Sequence, residues 1–469
     1  MKDSLLMHRK QKTSYEGYSL EGRVEPESKK KVPSEAKAST DETSSADLEY
    51  LLEKILYSRN ILPALERVEK NKGSHGVDGM QVDELRPFLK EEWPNIRSRI
   101  LEGKYKPMPV RRVEIPKPDG GIRLLGIPTV LDRFLQQAIA QILTDIFDPG
   151  FSDNNYGFRP GRSARDAVLK AREYINQGYK YVVDIDLEKF FDKVNHDILM
   201  HRISIKIKDK RVLKLIRSYL KSGIMEDGMF SKTSQGTPQG GPLSPLLSNI
   251  MLDDLDKLLE SRGHRFVRYA DDNNIYIKSK RAGLRVMESV TKFLETNLKL
   301  KVNKDKSAVA YVTKRKFLGF TFFQSRKEID IRIHPKSIKR FKDKIRKITS
   351  RSWGISMEER IKKLNQTTVG WINYFSIAKA KSVISEIDGW IRARLRMCIW
   401  KQWKKPKTKT KNLLSLKASK EKAYEWGNTR KGYWRTAHSP ILSTTMTNKY
   451  LESIKFQSLS ARYLKMQLT

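Results

Sequence analysis

Tyr269-Ala270-Asp271-Asp272 lies between two stretches of alternating apolar residues, Arg265-Phe-Val-Arg-Tyr-Ala and Ile275-Tyr-Ile-Lys. A period of two on both sides of a turn-forming string predicts a β-hairpin with two adjacent carboxylates at its turn. Adjacent carboxylates repel, and a fold tolerates them best when a cation sits between them. Hard oxygen ligands suit Mg²⁺, which takes one or two protein carboxylates and completes its shell with water and phosphate oxygens. A further carboxylate is available upstream in another strand-like run, Val182-Val-Asp-Ile-Asp186-Leu-Glu-Lys-Phe-Phe191-Asp192. Two strand-borne carboxylate sites far apart in sequence are what a two-metal phosphoryl-transfer centre needs. Asp-Asp-Asn-Asn is also a good turn sequence on its own, and most such turns bind nothing. The choice between these readings rests on the rest of the chain.

The chain has 469 residues, of which 38% are hydrophobic, enough for several domains and a sizeable core. With 93 Lys/Arg against 54 Asp/Glu it carries a net charge of +39. A compact protein with that charge repels itself, and nucleic acid, held by counterion release, is the expected partner. An anionic membrane surface is the rival, but no run of apolar residues is long enough for a transmembrane helix. The single cysteine, Cys398, excludes a disulfide framework and any cysteine-based zinc site. In Leu395-Arg-Met-Cys-Ile-Trp400 it reads as a buried reduced thiol, which points to a cytoplasmic protein.

Residues 1–46 are polar and poor in large apolar groups, a disordered tail without a secretory apolar core. Asp47 would cap a helix Leu48–Tyr57, and a second helix is expected over Val82–Glu102. Val113-Glu-Ile and Gly121–Gly126 read as a hairpin turning at Pro118-Asp-Gly-Gly. Helices are expected at Val130–Phe147, from a Ser163 cap through Tyr174, at His196–Lys206 and at Arg211–Leu220, with a strand at Tyr179–Leu187. Gly236-Thr-Pro-Gln-Gly-Gly-Pro-Leu-Ser244 is a rigid loop, and Ser244 would cap a helix Pro245–Arg262 that stops at Gly263. A helix Gly283–Leu298 and strands at Lys306–Tyr311 and Lys316–Phe323 follow. From His334 the chain turns to long basic helices, with 32 Lys/Arg against 8 Asp/Glu over residues 334–469. The aromatic residues there, Trp353, Trp371, Tyr374, Phe375, Trp390, Trp400 and Trp403, read as helix-bundle core.

These motifs fall in a familiar order: Arg111-Arg-Val-Glu-Ile-Pro-Lys-Pro-Asp-Gly-Gly, Gly157-Phe-Arg-Pro-Gly-Arg, Asp184-Ile-Asp-Leu-Glu-Lys-Phe-Phe-Asp, Gly236-Thr-Pro-Gln-Gly-Gly-Pro-Leu-Ser-Pro, Tyr269-Ala-Asp-Asp and Phe317-Leu-Gly-Phe. From about Leu48 to beyond Trp434 the chain resembles the reverse transcriptases encoded by bacterial group II introns, also called maturases, and within them the compact group IIC class. The resemblance implies an α+β right-hand polymerase: fingers and palm with an antiparallel sheet over residues 111–325, then an α-helical thumb, or domain X, over 326–405. It also implies an N-terminal extension at 47–110 and a basic DNA-binding segment at 406–469. Many relatives end in a His-Asn-His endonuclease with cysteine pairs, and with one cysteine none is expected here.

By motif position, the resemblance makes Asp186, Asp271 and Asp272 the catalytic ligands of two Mg²⁺ ions, with Mn²⁺ as a substitute and the Leu187 carbonyl as a further ligand. Asp184 and Asp192 are set aside because Asp186 stands five residues before Phe191, the family's aromatic position beneath the sugar. Phe191 would exclude a 2′-hydroxyl. Lys117 and Arg123 would grip the triphosphate, and Gln239 would pack near the incoming sugar. Arg159 would contact the template backbone or support the fingers, and Leu318-Gly319 match the primer grip. The implied function is RNA-directed DNA synthesis together with binding of the intron RNA to assist splicing and retrohoming, with RNA template, DNA primer or target and dNTPs as partners. Alternatives are a free-standing reverse transcriptase in host repair or phage defence, and a pure RNA-binding splicing factor. The intact carboxylate cluster argues against the latter. Phosphate-loop, paired-histidine zinc and Gly-x-Ser-x-Gly patterns are missing from the sequence.

Overall fold

A computed structural model describes residues 50–116, 120–226, 229–231, 235–237, 240–326 and 328–468. The tail and Asp47 lie outside the described residues, as does the expected turn residue Pro118. The chain divides into two compact units, one ending at His334 and the other beginning at Pro335.

The first unit is α+β. Strands β1 (Val110–Pro116) and β2 (Ile122–Ile127) form the expected antiparallel hairpin, and β1 pairs in parallel with β4 (Ile224–Glu226), which pairs with β5 (Met229–Ser231). A second sheet has the order β6-β7-β3-β8, all antiparallel, from β3 (Tyr181–Ile185), β6 (Arg265–Tyr269), β7 (Asp272–Ile277) and β8 (Ala308–Tyr311). A cross-strand row on one face runs Phe266, Ile275, Val183, Val309. Gly283 of the helix Lys280–Thr296 lies against Val309 and Val183, so this face is the covered one. Leu51, Leu52, Ile55 and Leu65, from the segment expected to be an extension, share one hydrophobic core with Phe134, Ile139, Leu247, Ile250 and the inner faces of β3 and β7. That segment is part of the first core by packing.

Helix starts follow their caps. Thr129 Oγ1 accepts the Asp132 amide at 3.0 Å and starts the helix Val130–Phe147. Asn195 Oδ1 accepts the Asp197 and Ile198 amides and starts His196–Lys206. Ser163 and Asp166 form a reciprocal capping box. Ser244 departs from expectation: it lies inside the helix Ser244–Ser261, whose cap position is Leu243. The helix expected at Leu48–Tyr57 shortens to Leu51–Ile55, and a new one runs Ser58–Asn71 across Pro63. The boundary expected after residue 325 falls inside a hairpin of β9 (Phe320–Ser325) and β10 (Glu328–Ile333).

The second unit is helical, with long helices Pro335–Ile348, Met357–Phe375 and Lys381–Gln402 and shorter ones from Pro406–Ser415 to Leu459–Leu468. Phe341 stacks on Trp371 at 4.2 Å and Trp400 is 1% exposed, as a bundle core requires. Trp353 departs from that reading: it is 38% exposed and carries Lys363 over its ring. Buried Arg360 donates to the Ile348 carbonyl, at the end of the first long helix, and to the Ser350 and Trp353 carbonyls just beyond it. Buried Asp388 accepts the Leu459 amide and the Ser458 hydroxyl, both at 2.9 Å, and pairs with Arg392. It therefore anchors the last helix to the longest one. Asp388→Ala should cost about 3 kcal/mol, because it strands buried donors. Hydrogen exchange should show Leu459–Leu468 released selectively, and unchanged protection there would refute the anchoring.

Candidate active site

The hairpin of β6 and β7 forms as the alternation predicts. Tyr269 pairs with Asp272, so Ala270 and Asp271 make a two-residue turn, with Ala270 at φ +57°. The β3–β7 ladder ends at Ile185 paired with Asn273. One further step of that register sets Asp186 opposite Asp272, on the same face of the sheet. Residues from two distant motifs thus meet at one end of a ladder.

The backbone of Asp186 is fixed from the β8 side: its amide donates to Ser307 Oγ at 3.0 Å, and its carbonyl accepts the Asn303 amide at 2.8 Å. Leu187 bridges Val302 through bonds made by its neighbours, Asn303 N to Asp186 O and Glu188 N to Lys301 O. This is a non-hydrogen-bonded pair, so the Leu187 carbonyl points away from Val302, toward the β7 side of the strand.

Burial and neighbouring charge perturb Asp271 and Asp272. Burial raises the Asp271 carboxyl above its ordinary value and Asp186 adds to the rise, against its own backbone hydrogen bond and the opposing charges of Arg123 and Arg268. Asp272 is pushed up to about 7 by burial and then by Asp271, Asp184 and Asp186, with Lys316 opposing. Because the Asp272 side chain keeps solvent contact at the start of its strand, repulsion by three neighbouring carboxylates is the firmer cause of the direction. Asp184 has a partner of its own, since Arg315 Nε donates to its Oδ2 at 2.8 Å. That ion pair opposes the effect of burial on Asp184.

Among the described residues, no group of three or more His, Cys, Asp or Glu side chains is gathered as a ready-made metal site. Asp186, Asp271 and Asp272, which interact electrostatically, and the Leu187 carbonyl would together offer only oxygen donors. That fits a hard divalent ion that keeps part of its shell for water and phosphate.

The remaining candidates divide. Arg123, on β2, acts electrostatically on Asp271 and so stands near the carboxylates. Phe191 is half-buried, edge-on to Phe190 at 5.1 Å, and its carbonyl accepts the Thr237 amide at 2.7 Å. Gly236, at φ +93°, is pressed against the Phe191 and Asp192 carbonyls, where a Cβ would lie within 3.0 Å of them. The Pro/Gly loop is thereby docked on the Phe191 turn. Lys117 and Gln239 lie outside the described residues. Leu318 and Gly319, at φ +47° and +86°, form a tight turn closed by Phe317–Phe320 hydrogen bonds.

Arg159 corrects an expectation. It is 8% exposed and spends its guanidinium on Asp148 and on the Ser152 and Asn155 carbonyls. It supports its loop and has no face left for a template. The sequence reading also missed Arg315, which occupies Asp184, and Lys316, which acts on Asp272. It missed as well the buried pair of Arg268 with Asp256, beneath the Asp271 turn. The one available signal was a charged residue in the otherwise apolar run Phe266-Val-Arg268.

Comparison with known proteins agrees with this geometry. Residues 115–322 match the reverse transcriptase (RNA-dependent DNA polymerase) family, and residues 338–416 match the group II intron maturase-specific domain. Protein YkfC of Escherichia coli (strain K12) is 32% identical over 329 residues, covering 62% of this chain and 85% of the relative. The group II intron-encoded protein LtrA of Lactococcus lactis subsp. cremoris is 36% identical over 239 residues, covering 51% of this chain and 39% of LtrA. A chain of a solved structure titled "Partial Cas6-RT-Cas1--Cas2 complex" matches at 27% identity and a TM-score of 0.35, over 52% of this chain and 42% of that one, too loose a superposition to bear on the fold. Reverse transcriptases work with divalent metal ions, and the two matched domains imply binding of RNA and DNA. No described helix is long and apolar enough to cross a membrane. With a polymerase domain and a maturase domain in tandem, and a relative matched over most of its length, the chain belongs to the group II intron-encoded reverse transcriptases and maturases.

Proposed function

We propose that this protein extends a DNA primer on an RNA template at the Asp186–Asp271–Asp272 centre, and that its helical unit binds the structured RNA of its own group II intron to assist splicing and retrohoming. The observation that carries the polymerase half is the meeting of Asp186 with the Asp271–Asp272 turn at one end of a ladder, while Asp184 is paired with Arg315. Two Mg²⁺ ions, with Mn²⁺ as a substitute, would be held by the three carboxylates and the Leu187 carbonyl. When bound, the ions acidify the primer 3′-hydroxyl and neutralise the triphosphate and departing pyrophosphate. Arg123, with Lys117, meets the triphosphate of the incoming dNTP. The Phe191 ring and Gln239 line its sugar, and Phe191 excludes a 2′-hydroxyl. The Leu318-Gly319 turn lets the primer backbone approach closely.

The RNA-binding half rests on charge and family. Residues 334–469 carry 32 Lys/Arg against 8 Asp/Glu, and a structured RNA is recognised by phosphate contacts and shape. A compact enzyme of this kind acts in the cytoplasm beside its template.

Single-nucleotide extension on an RNA template tests the site. Asp271→Asn and Asp272→Asn should each lose about a thousandfold in rate, the loss of several kcal/mol of charge stabilisation, while binding RNA like the native protein. Normal extension by either would remove the site assignment. Phe191→Ala should raise ribonucleotide incorporation, and unchanged sugar discrimination would end that role.

The raised Asp272 carboxyl also sets a pH dependence. It binds its proton more tightly folded than unfolded, so its stabilising contribution is complete below the ordinary carboxylate range and is lost as pH rises through about 7. Metal-free protein should therefore melt lower at pH 8 than at pH 5.5, and Mg²⁺ should raise the melting point more at pH 8. Asp272→Asn should flatten both effects. A Mg²⁺ response that is the same at both pH values would contradict the shared-charge account.

A further inference from the structure

Arg268 is fully buried, on the covered face of the β6–β7 hairpin, and it makes contacts in three directions. Its Nε and Nη2 hold the two oxygens of Asp256, itself fully buried on the helix Ser244–Ser261, at 2.8 and 2.5 Å. Its Nη1 donates to Asn249 Oδ1 and reaches back to the Ala270 carbonyl, both at 3.0 Å. Asn249 Nδ2 in turn donates to the Gly157 carbonyl at 2.8 Å. Gly157 lies so close under the turn that a Cβ would sit 2.1 Å from the Ala270 amide nitrogen. The Arg268 backbone is tied to the same loop, its amide to Asn154 O and its carbonyl to the Tyr156 amide.

A buried ion pair is a weak source of stability, since apolar residues of similar size often serve as well. What this pair does supply is geometry. The turn is held in a conformation that a residue with a Cβ disfavours, Ala270 at φ +57°, and such conformations persist only where the surroundings over-determine them. Arg268 supplies the hydrogen bond to that residue's carbonyl, and the Asp256 fork and Asn249 leave the guanidinium a single orientation. Its charge also opposes the rise in the Asp271 carboxyl.

We propose that Arg268, locked by Asp256 and Asn249, is a positioning residue of the polymerase centre that fixes the Ala270–Asp271 turn and so the placement of the Asp271 and Asp272 carboxylates. The proposal rests on the assignment of those carboxylates to the reaction. Arg268→Lys keeps a charge for Asp256 but loses the fork and the reach to Ala270. Arg268→Met combined with Asp256→Leu removes the ion pair without leaving a buried charge, so at least one of the two is expected to fold.

Full-length variants would be compared by three measurements: hydrogen exchange of the peptide spanning Tyr269–Asn273, Mn²⁺ binding to metal-depleted protein by electron paramagnetic resonance, and single-dNTP addition. In each folded variant, exchange of that peptide should quicken and Mn²⁺ should bind several-fold more weakly. The rate of dNTP addition at saturation should fall about 10- to 100-fold, the effect of a misplacement near 1 Å, with primer–template affinity unchanged. The Lys variant should keep more activity than the double variant. A purely structural pair would lower the melting temperature and leave all three readouts at native values in folded protein, and that result would overturn the proposal. Asp271→Asn serves as the control. If it polymerises normally, the carboxylate assignment has failed and the proposal falls with it. If it is inactive while both Arg268 variants behave as native, only the positioning role is lost.

Discussion

Asp186, Asp271 and Asp272 repel one another, and the fold brings them together all the same. Asp186 raises the proton affinity of both Asp271 and Asp272, and Asp271 raises that of Asp272 further. A chain that only needed a hairpin turn had many easier sequences available. The neighbouring structure restrains the cluster. Ser307 and Asn303 hold the Asp186 backbone, Gly157 closes against Ala270, and Arg315 gives Asp184 an ion-pair partner of its own. Arg123, Arg268 and Lys316 lower the strain without neutralising it. The negative charge that remains would be offset by the divalent ions we propose there.

The helical unit faces the opposite electrostatic problem, an excess of cations. It uses a few of them as structure. Arg360 satisfies carbonyls at a helix end and just beyond it, and Arg392 pairs with Asp388, itself the acceptor for the last helix. Most of the rest lie at the surface, several over aromatic rings such as Arg394 on Trp390 and Lys363 on Trp353. Such a surface lowers its self-repulsion by binding a polyanion, the electrostatic content of an RNA-binding role.

Where local chemistry decides, the fold was readable from sequence. Thr129 and Asn195 cap their helices, so Val130–Phe147 and His196–Lys206 start and stop where the pattern places them. The β6–β7 hairpin follows from its alternation and its two-residue turn. Glu328-Ile-Asp-Ile-Arg-Ile333 alternates just as clearly, and it forms β10, a strand absent from the sequence expectations. Pro63 reads as a breaker but is carried inside Ser58–Asn71, whose apolar face is buried in the first core. Of the site, the motif spacing favours Asp186 over Asp184, and the structure adds an Arg315 partner to Asp184. That partner, 131 residues away in sequence, was not legible. Nor was the inward turn of Arg159 onto Asp148, since a cation in a loop gives no sign of whether it faces solvent or its own backbone. Long-range ion pairs of this kind are set by tertiary packing and leave little periodic trace.

The most direct measurement is Mn²⁺ anomalous scattering from crystals of the protein with an RNA template, a DNA primer and a non-hydrolysable dNTP. The expected result is two peaks, both within ligand distance of the cluster formed by Asp186, Asp271, Asp272 and the Leu187 carbonyl. Peaks ligated by Asp184 in place of Asp186, or no bound metal at the hairpin turn, would contradict the account at its centre.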